Sequence, residues 1–327
     1  MKKLLFIISV FAVLATVQSC ESSKNGVRIV PESSGNINSL SVVVSNEYWE
    51  GSVGEAIREI LAAPVYGLPQ EEPLFSMRQM PPQVFTDFAT RNRTVLKVEN
   101  NEESGVKFLK DPLARPQTIV LVTGKNSTEI IEQMRSNTER IVSAFKNAEI
   151  KENQRRIRKS LHKAGTIEET LGLTIKFPSA YRIAKEDNGF YWIRKDIKTG
   201  TMNLMLYEMP FDAISEGDEA ITEVIKMRDS VGKVHIPGPI EGSYMITEAS
   251  YTPFFSETII DNKRARVTRS TWEVKNAFMA GPFINYIIED EINDRLLVVE
   301  GFTFAPSIEK RNHMFELEAI IRSIKIK

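Results

Sequence analysis

The sequence predicts an α+β protein in two lobes: a helix-rich α/β lobe first, then a lobe of mainly antiparallel sheet with flanking helices. Two patterns carry that expectation. From residue 174 onward, short runs rich in β-branched and aromatic residues recur between turn-forming clusters such as Asp187-Asn188-Gly189 and Thr199-Gly200, which is how hairpin-linked strands read. Earlier in the chain the long apolar stripe falls at helical spacing, as in Ile130, Met134, Ile141 and Phe145, the period of an amphipathic helix. Gly165 and Thr166 stand where one pattern gives way to the other, so the lobes are expected at 40–164 and 165–327.

The first residues have another purpose. Lys2 and Lys3, an apolar run from Leu4 to Ala15 and short polar residues ending at Ser19 follow the plan of a secretory signal. The run is shorter than the roughly 20 residues a spanning helix needs. The junction Val17-Gln18-Ser19-Cys20 resembles the lipobox of bacterial lipoproteins, with Gln18 departing from the usual small residue. The resemblance implies cleavage of residues 1–19 and acylation of Cys20, the only cysteine of the chain, and several acyl chains on one residue anchor stably. Residues 20–39, rich in Ser, Asn and Gly, read as a flexible tether. The expected location is the cell envelope, on the outer membrane facing the periplasm, because Glu21 does not suggest inner-membrane retention; exposure at the cell surface is the alternative.

Within the first lobe, Leu40 to Ser45 reads as a strand and Glu50 to Ala63 as a helix closed by Pro64. Pro64 to Pro82 reads as a proline-rich loop whose Leu74, Phe75, Met77 and Met80 pack over the core. A short helix from Pro82 to Arg91 and strands at Thr94 to Val98 and Thr118 to Thr123 follow. Gly124-Lys125-Asn126-Ser127-Thr128 has the order of a phosphate loop but lacks its earlier glycine, where Ile119 stands, and its hydroxyl after the lysine. Asn126 and Glu129 suit a helix cap instead, opening a helix expected to reach about Lys163. Its distal cations Arg155, Arg156, Arg158 and Lys159 read as a solvated helix end complementing the dipole, with contact to anionic lipid headgroups as the second reading.

In the second lobe, strands are expected at Thr174 to Phe177, Tyr181 to Ala184, Phe190 to Lys195, Met202 to Glu208, Tyr244 to Thr247, Phe255 to Ile260, Ala265 to Val274, Phe283 to Glu289 and Arg295 to Thr303. Glu219 to Val231 and Ser307 to Ser323 carry helical stripes. On element order alone this lobe resembles the PsbP and Mog1 fold class.

Residue chemistry narrows the function. With Cys20 acylated no thiol remains for disulfides, thiolate metal sites or nucleophilic catalysis. His162, His235 and His313 lack the spacing of a metal helix or loop, and Glu289-Asp290-Glu291 lacks the frame of a calcium loop, so no metal or cofactor is expected. A net charge of -1 gives no field that would attract nucleic acid. Nucleophile-elbow and dinucleotide patterns are absent from the sequence.

One block stands out: Trp272 to Phe283, containing Asn276-Ala277-Phe278-Met279-Ala280-Gly281-Pro282-Phe283, followed by Glu300-Gly301-Phe302, Ala305-Pro306 and Lys310-Arg311. It resembles the C-terminal signature of a Bacteroidota envelope lipoprotein family of unknown function (DUF4837-like). Ala280 replaces the first glycine of that family's turn. Gly281-Pro282 is expected to form the hairpin turn and Gly301 to admit a close backbone. Sheet corners and core plugs are the plainer reading of the block; the functional reading makes Asn276, Phe278, Met279, Phe302, Lys310 and Arg311 a partner-binding surface. The expected function is a non-catalytic envelope module holding a protein, glycan or lipid partner. The alternative is an envelope-polymer hydrolase using a carboxylate pair.

Overall fold

A computed structural model describes residues 30–163, 165–217 and 219–327. The signal segment and Cys20 lie outside the described residues. Residues 32–327 form one compact unit, and this unit holds both large sheets and every apolar cluster described below.

The first half builds a five-stranded sheet in the order β2-β1-β3-β5-β4, from β1 (Ser39–Val43), β2 (Ser76–Met80), β3 (Thr94–Asn100), β4 (Gly105–Lys110) and β5 (Thr118–Gly124). All pairings are parallel except β4 with β5. Parallel strands are buried on both faces, and the alternation shows it. Leu40, Val42, Leu96, Val98, Val120 and Val122 face the helices, while Val43, Val95 and Ile119 pack under Met80 on the other side.

A short helix, α1 (Asn46–Glu50), precedes the expected helix, which forms beyond Gly51 as α2 (Ser52–Leu61). Two strands of this sheet escaped the sequence reading: β2, where a loop was expected, and β4, an edge strand. Residues 82–84 and 87–91 form 3₁₀ turns, not an α-helix.

The cap at Asn126 is present: its Oδ1 accepts the Glu129 N–H at 3.0 Å, and Glu129 Oε2 accepts the Lys125 N–H at 3.1 Å. The helix it opens breaks at Asn137 into α3 (Ser127–Ser136) and α4 (Thr138–Ile157) and stops six residues short of the expected end. Beyond it lie α5 (Gly165–Leu171) and a two-residue strand, β6 (Leu173–Thr174).

The second half is an eight-stranded sheet, antiparallel at every pairing, in the order β10-β12-β13-β14-β9-β8-β7, with β11 also on the β12 edge. Its strands are β7 (Arg182–Asp187), β8 (Phe190–Ile197), β9 (Gly200–Pro210), β10 (Met245–Thr247), β11 (Phe254–Ile260), β12 (Lys263–Val274), β13 (Ala277–Asp290) and β14 (Arg295–Phe304). The protein is thus a mixed α+β structure dominated by an antiparallel sheet. Helix α6 (Ala220–His235) covers one face through Val224 and Met227. Helix α7 (Arg311–Ile321) covers the other through Leu317, Ile320 and Ile321, and β15 (Lys325–Ile326) pairs with β6.

Two glycines set these distances. A Cβ on Gly301 would lie 2.8 Å from Leu317 Cβ, so α7 packs directly on the strand there. A Cβ on Gly281 would lie 2.0 Å from the Thr303 carbonyl oxygen, which makes Gly281 the site of close backbone approach while Ala280 is exposed.

The two halves meet through buried polar groups. Glu72 turns its carboxylate to the start of α7 and accepts the Lys310 and Arg311 N–H groups at 2.7 and 2.8 Å, which satisfies orphan donors and the positive end of the helix dipole together. Arg311 donates to the Pro73 carbonyl at 2.7 Å and to Ser76 Oγ at 3.0 Å. Residues 32–38, expected in the tether, are seated on the fold. The Ser33 and Ser34 N–H groups donate to Arg115 and Arg91 carbonyls, and the Asn38 N–H donates to Glu149 Oε2 at 2.9 Å.

Candidate binding pocket

Helix α6 is too short to cover its face of the large sheet. Past its last residue the chain turns through Pro237-Gly238-Pro239 and leaves a concavity of about 580 Å³ between that turn and strands β8, β9, β12, β13 and β14, within the range of about 300–1,000 Å³ usual for ligand pockets. Its walls are apolar and aromatic: Trp192, Met245, Trp272, Met279, Phe302 and Phe304.

Strand alternation aims these side chains. Trp192, Arg194 and Asp196 point to one face of β8, and Thr201 and Asn203 share it on β9. Trp272 meets Phe302 edge-on, with ring centroids 5.6 Å apart at 78°, a favoured aromatic geometry.

Polar groups lie on the β8–β9 side. Trp192 Nε1 donates to Asn203 Oδ1 at 3.1 Å, and Asn203 Nδ2 donates to Thr201 Oγ1 at 3.0 Å. Arg194 Nε lies 3.1 Å from Asp196 Oδ1. Among the described residues Asp196 is the only carboxylate in the pocket lining. The indole N–H of Trp272 is buried with no partner among the described residues.

Beneath α6, next to this pocket, sits a buried charge network. Arg228 and Glu300 are both 0% exposed and pair at 2.9 Å. Asn285 Nδ2 donates to Glu300 Oε2 at 2.9 Å, Arg228 Nη1 donates to Thr247 Oγ1 at 2.9 Å, and the guanidinium lies 3.9 Å from the Phe283 ring centroid. Arg228 also contacts the sulfur of Met245, a wall residue. Burial raises the pKa of Glu300, with Arg228 and Asn285 pulling against it. Burial raises the neighbouring Tyr207 hydroxyl far above its ordinary range, and Glu300 adds to that effect.

The six candidate residues divide. Met279 and Phe302 line the pocket. Asn276 and Phe278 stand beside it on the β12–β13 hairpin, Phe278 fully exposed at 108%. The hairpin turn lies at Lys275-Asn276, where Asn276 takes a φ of 65°, which asparagine tolerates better than most residues. Gly281 and Pro282 are strand residues opposite Trp272 and Thr271, so the expected turn at Gly281-Pro282 is corrected. A proline fits there because the β14 ladder begins only at Phe283.

Phe302 is 3% exposed, so it is a wall and core residue and not an exposed contact. Lys310 and Arg311 are buried at the α7 start, where their backbone N–H groups hold Glu72. They belong to the seam between the halves, and their placement on a contact surface is corrected.

Trp192, Thr201, Asn203 and Phe304 were missed. The alternation in Trp192-Ile193-Arg194-Lys195-Asp196 was the available signal, because it sets an aromatic and two charged residues on one strand face. Two of the three histidines pack on aromatic rings: His162 stacks on Phe177 and His235 on Phe190. Among the described residues no group of three His, Cys, Asp or Glu is arranged to hold a metal ion, and no helix is long and apolar enough to cross a membrane.

Fold and pocket define an α+β protein with an aromatic concavity on one face of an antiparallel sheet. The chain belongs to the family described as a domain of unknown function (DUF4837), whose model matches residues 160–323. A second family, also described only as a domain of unknown function (DUF8532), matches residues 33–158. No curated protein matches the chain. Among solved structures it is similar to the Saccharomyces cerevisiae Ran-binding protein Mog1p, at 7% identity over 47% of this chain and 89% of that one, with a TM-score of 0.31. It is also similar to LpqN, involved in cell envelope biogenesis of Mycobacterium tuberculosis, at 12% identity over 47% of this chain and 82% of that one, with a TM-score of 0.27.

Proposed function

We propose that this protein is a lipid-anchored envelope module that holds a partner through the aromatic concavity and the hairpin beside it, without chemical turnover. The observation that carries the reading is the pocket wall itself, Trp192, Trp272, Phe302, Phe304 and Met279 around about 580 Å³, with the exposed Phe278 adjacent in sequence to Met279. Such walls recognise an apolar side chain, an acyl chain or the CH-rich face of a sugar, and the Asn203, Thr201 and Arg194 groups on one side suit a polar attachment to that group. A hydrolase of the two-carboxylate type needs facing acids, and Asp196 stands in this pocket without a second one.

Trp192 and Trp272 report on occupancy. Titration with a panel of soluble peptidoglycan fragments, short-chain fatty acids and apolar peptides is expected to change tryptophan emission for one class only. Met279→Asp should weaken that response at least about tenfold, the scale of one lost apolar contact plus a buried charge. Wild-type emission that answers to none of the panel, or a panel member cut during incubation, sinks the reading.

Anchoring is tested separately. Metabolic labelling with a palmitate analogue is expected to mark the wild type and to be lost in Cys20→Ala. Equal labelling of both would remove the anchor.

A further inference from the structure

On the face formed by β4 and α4, a groove of about 480 Å³ runs between the edge strand and the helix, lined in part by Phe108, Leu109, Lys110, Lys151, Arg155 and Arg158. Its charge is one-sided. Lys110, Arg140, Lys151 and Arg158 are exposed cations, and none of them has a carboxylate within 4.0 Å among the described residues. The acids facing the same groove are already engaged: Asp111 by Arg115 at 3.3 Å, and Glu152 by Arg155 and Arg156 at 2.7 Å each. Two of the four distal helix cations are therefore spent on Glu152, while Arg158 and Lys159 are exposed.

Apolar groups are interleaved with the free cations. Phe108 and Leu109 are exposed at 36% and 39%, and Arg140 lies over the Phe108 ring at 5.0 Å.

The way the chain enters the compact unit identifies the occupant. Glu32 pairs with Arg155 at 3.1 Å and bridges to Arg115, so the segment leading back to Cys20 starts at the rim of this groove. Twelve residue steps separate Cys20 from Glu32, a reach of no more than about 40 Å fully extended. Whatever membrane holds Cys20 therefore lies within about 40 Å of this rim. Exposed Lys and Arg with aromatic and aliphatic side chains between them are the composition of surfaces that lie on anionic headgroups.

We propose that the β4–α4 groove docks on the surface of an anionic phospholipid bilayer and so orients the anchored protein, with the aromatic concavity left for its partner. The proposal rests on the anchoring read at Cys20 for its choice of occupant. Its test does not, because residues 32–327 carry every described core contact and no residue 20.

That chain is expected to co-sediment with vesicles of 30% phosphatidylglycerol in phosphatidylcholine at low salt, and at least tenfold less with phosphatidylcholine alone. Reversing Lys110, Lys151 and Arg158 to Glu should lower the partition coefficient about a hundredfold with an unchanged melting temperature. The control Lys226→Glu with Lys233→Glu, on α6, should leave binding as it was. Equal partition to neutral vesicles, full binding by the groove variant, or an equal loss in the control overturns the proposal. Binding that soluble polyphosphate abolishes while neutral polymer does not fits a charged surface, whereas tighter binding to polyphosphate than to the vesicles overturns the bilayer as occupant. Failure of Cys20 labelling would withdraw the anchor and leave the vesicle result standing.

Discussion

Replacing Glu300 by alanine is expected to cost about 3–5 kcal/mol of unfolding free energy, because it strands a guanidinium with no exposure to water. Asp229, with Oδ1 at 3.6 Å from Arg228 Nη1, is a partial substitute and places the effect near the lower end of that range. Asn285 and Thr247, both tied into the network, would lose alignment as well. The double variant Arg228→Met with Glu300→Leu should recover most of the loss, since an apolar pair of similar volume avoids the desolvation of both charges. Urea unfolding of Arg228→Met, Glu300→Leu and the double closes the cycle. A single-variant loss below about 1 kcal/mol would mean that water reaches the network. Because Arg228 also touches Met245 in the pocket wall, the single variants should blunt the tryptophan response to ligand even under conditions where they remain folded.

The second large effect is acid lability of the seam. Glu318 on α7 is paired with Lys146 of α4 at 2.9 Å and with Arg269 of β12 at 2.9 Å, and it accepts the Tyr286 hydroxyl at 3.2 Å. Burial by itself would raise its pKa; the Arg269 and Lys146 charges and hydrogen bonds outweigh it and hold the carboxyl well below the usual range. Glu152 follows the same logic. Burial pushes it up, and hydrogen bonds from Arg155 and Arg156 with the charge of Arg93 bring it down to about 2.

Both folded-state values lie below those of the unfolded chain, so both groups stabilise the fold above about pH 4.5. That contribution is lost as pH falls toward 2, where the unfolded chain binds the extra protons first. Each group contributes a slope of about 1.4 kcal/mol per pH unit in that window. From pH 4.5 to 2.5 the pair is expected to cost about 4 kcal/mol, read as falling urea midpoints. Glu318→Gln should be less stable than wild type at pH 7 and have an acid slope shallower by about 1.4 kcal/mol per pH unit. An unchanged slope would remove Glu318 from the account.

Local pattern was enough for most elements. The valine-rich Leu40 to Ser45 run, the strand-and-turn alternation after residue 174 and the stripes of α6 and α7 each follow from a period of two or about 3.6 in neighbouring residues. The Asn126 cap is equally local, since donor and acceptor lie three residues apart. Elements supported by partners and not by their own composition were illegible. Strand β2, Ser-Met-Arg-Gln-Met, is a strand because β1 offers it a parallel register. Strand β4, with four exposed residues, is one because β5 does.

The site divides the same way. Met279, Phe302 and the exposed hairpin were visible as an unusual aromatic and glycine block, and its residues do reach one end of the large sheet. The sequence by itself determined the α+β class, the capped helices and the residues that compose this block, because each depends on chemistry within a few positions of chain. Only the tertiary structure decided that the turn lies at Asn276, that Lys310 and Arg311 close a seam with Glu72, and that β8 and β9 complete the pocket with Trp192 and Asn203. Those outcomes join residues up to 239 positions apart. Which of many possible carboxylates or aromatics meets a given side chain is set by sheet order and helix packing, and these depend on the sum of all contacts in the fold.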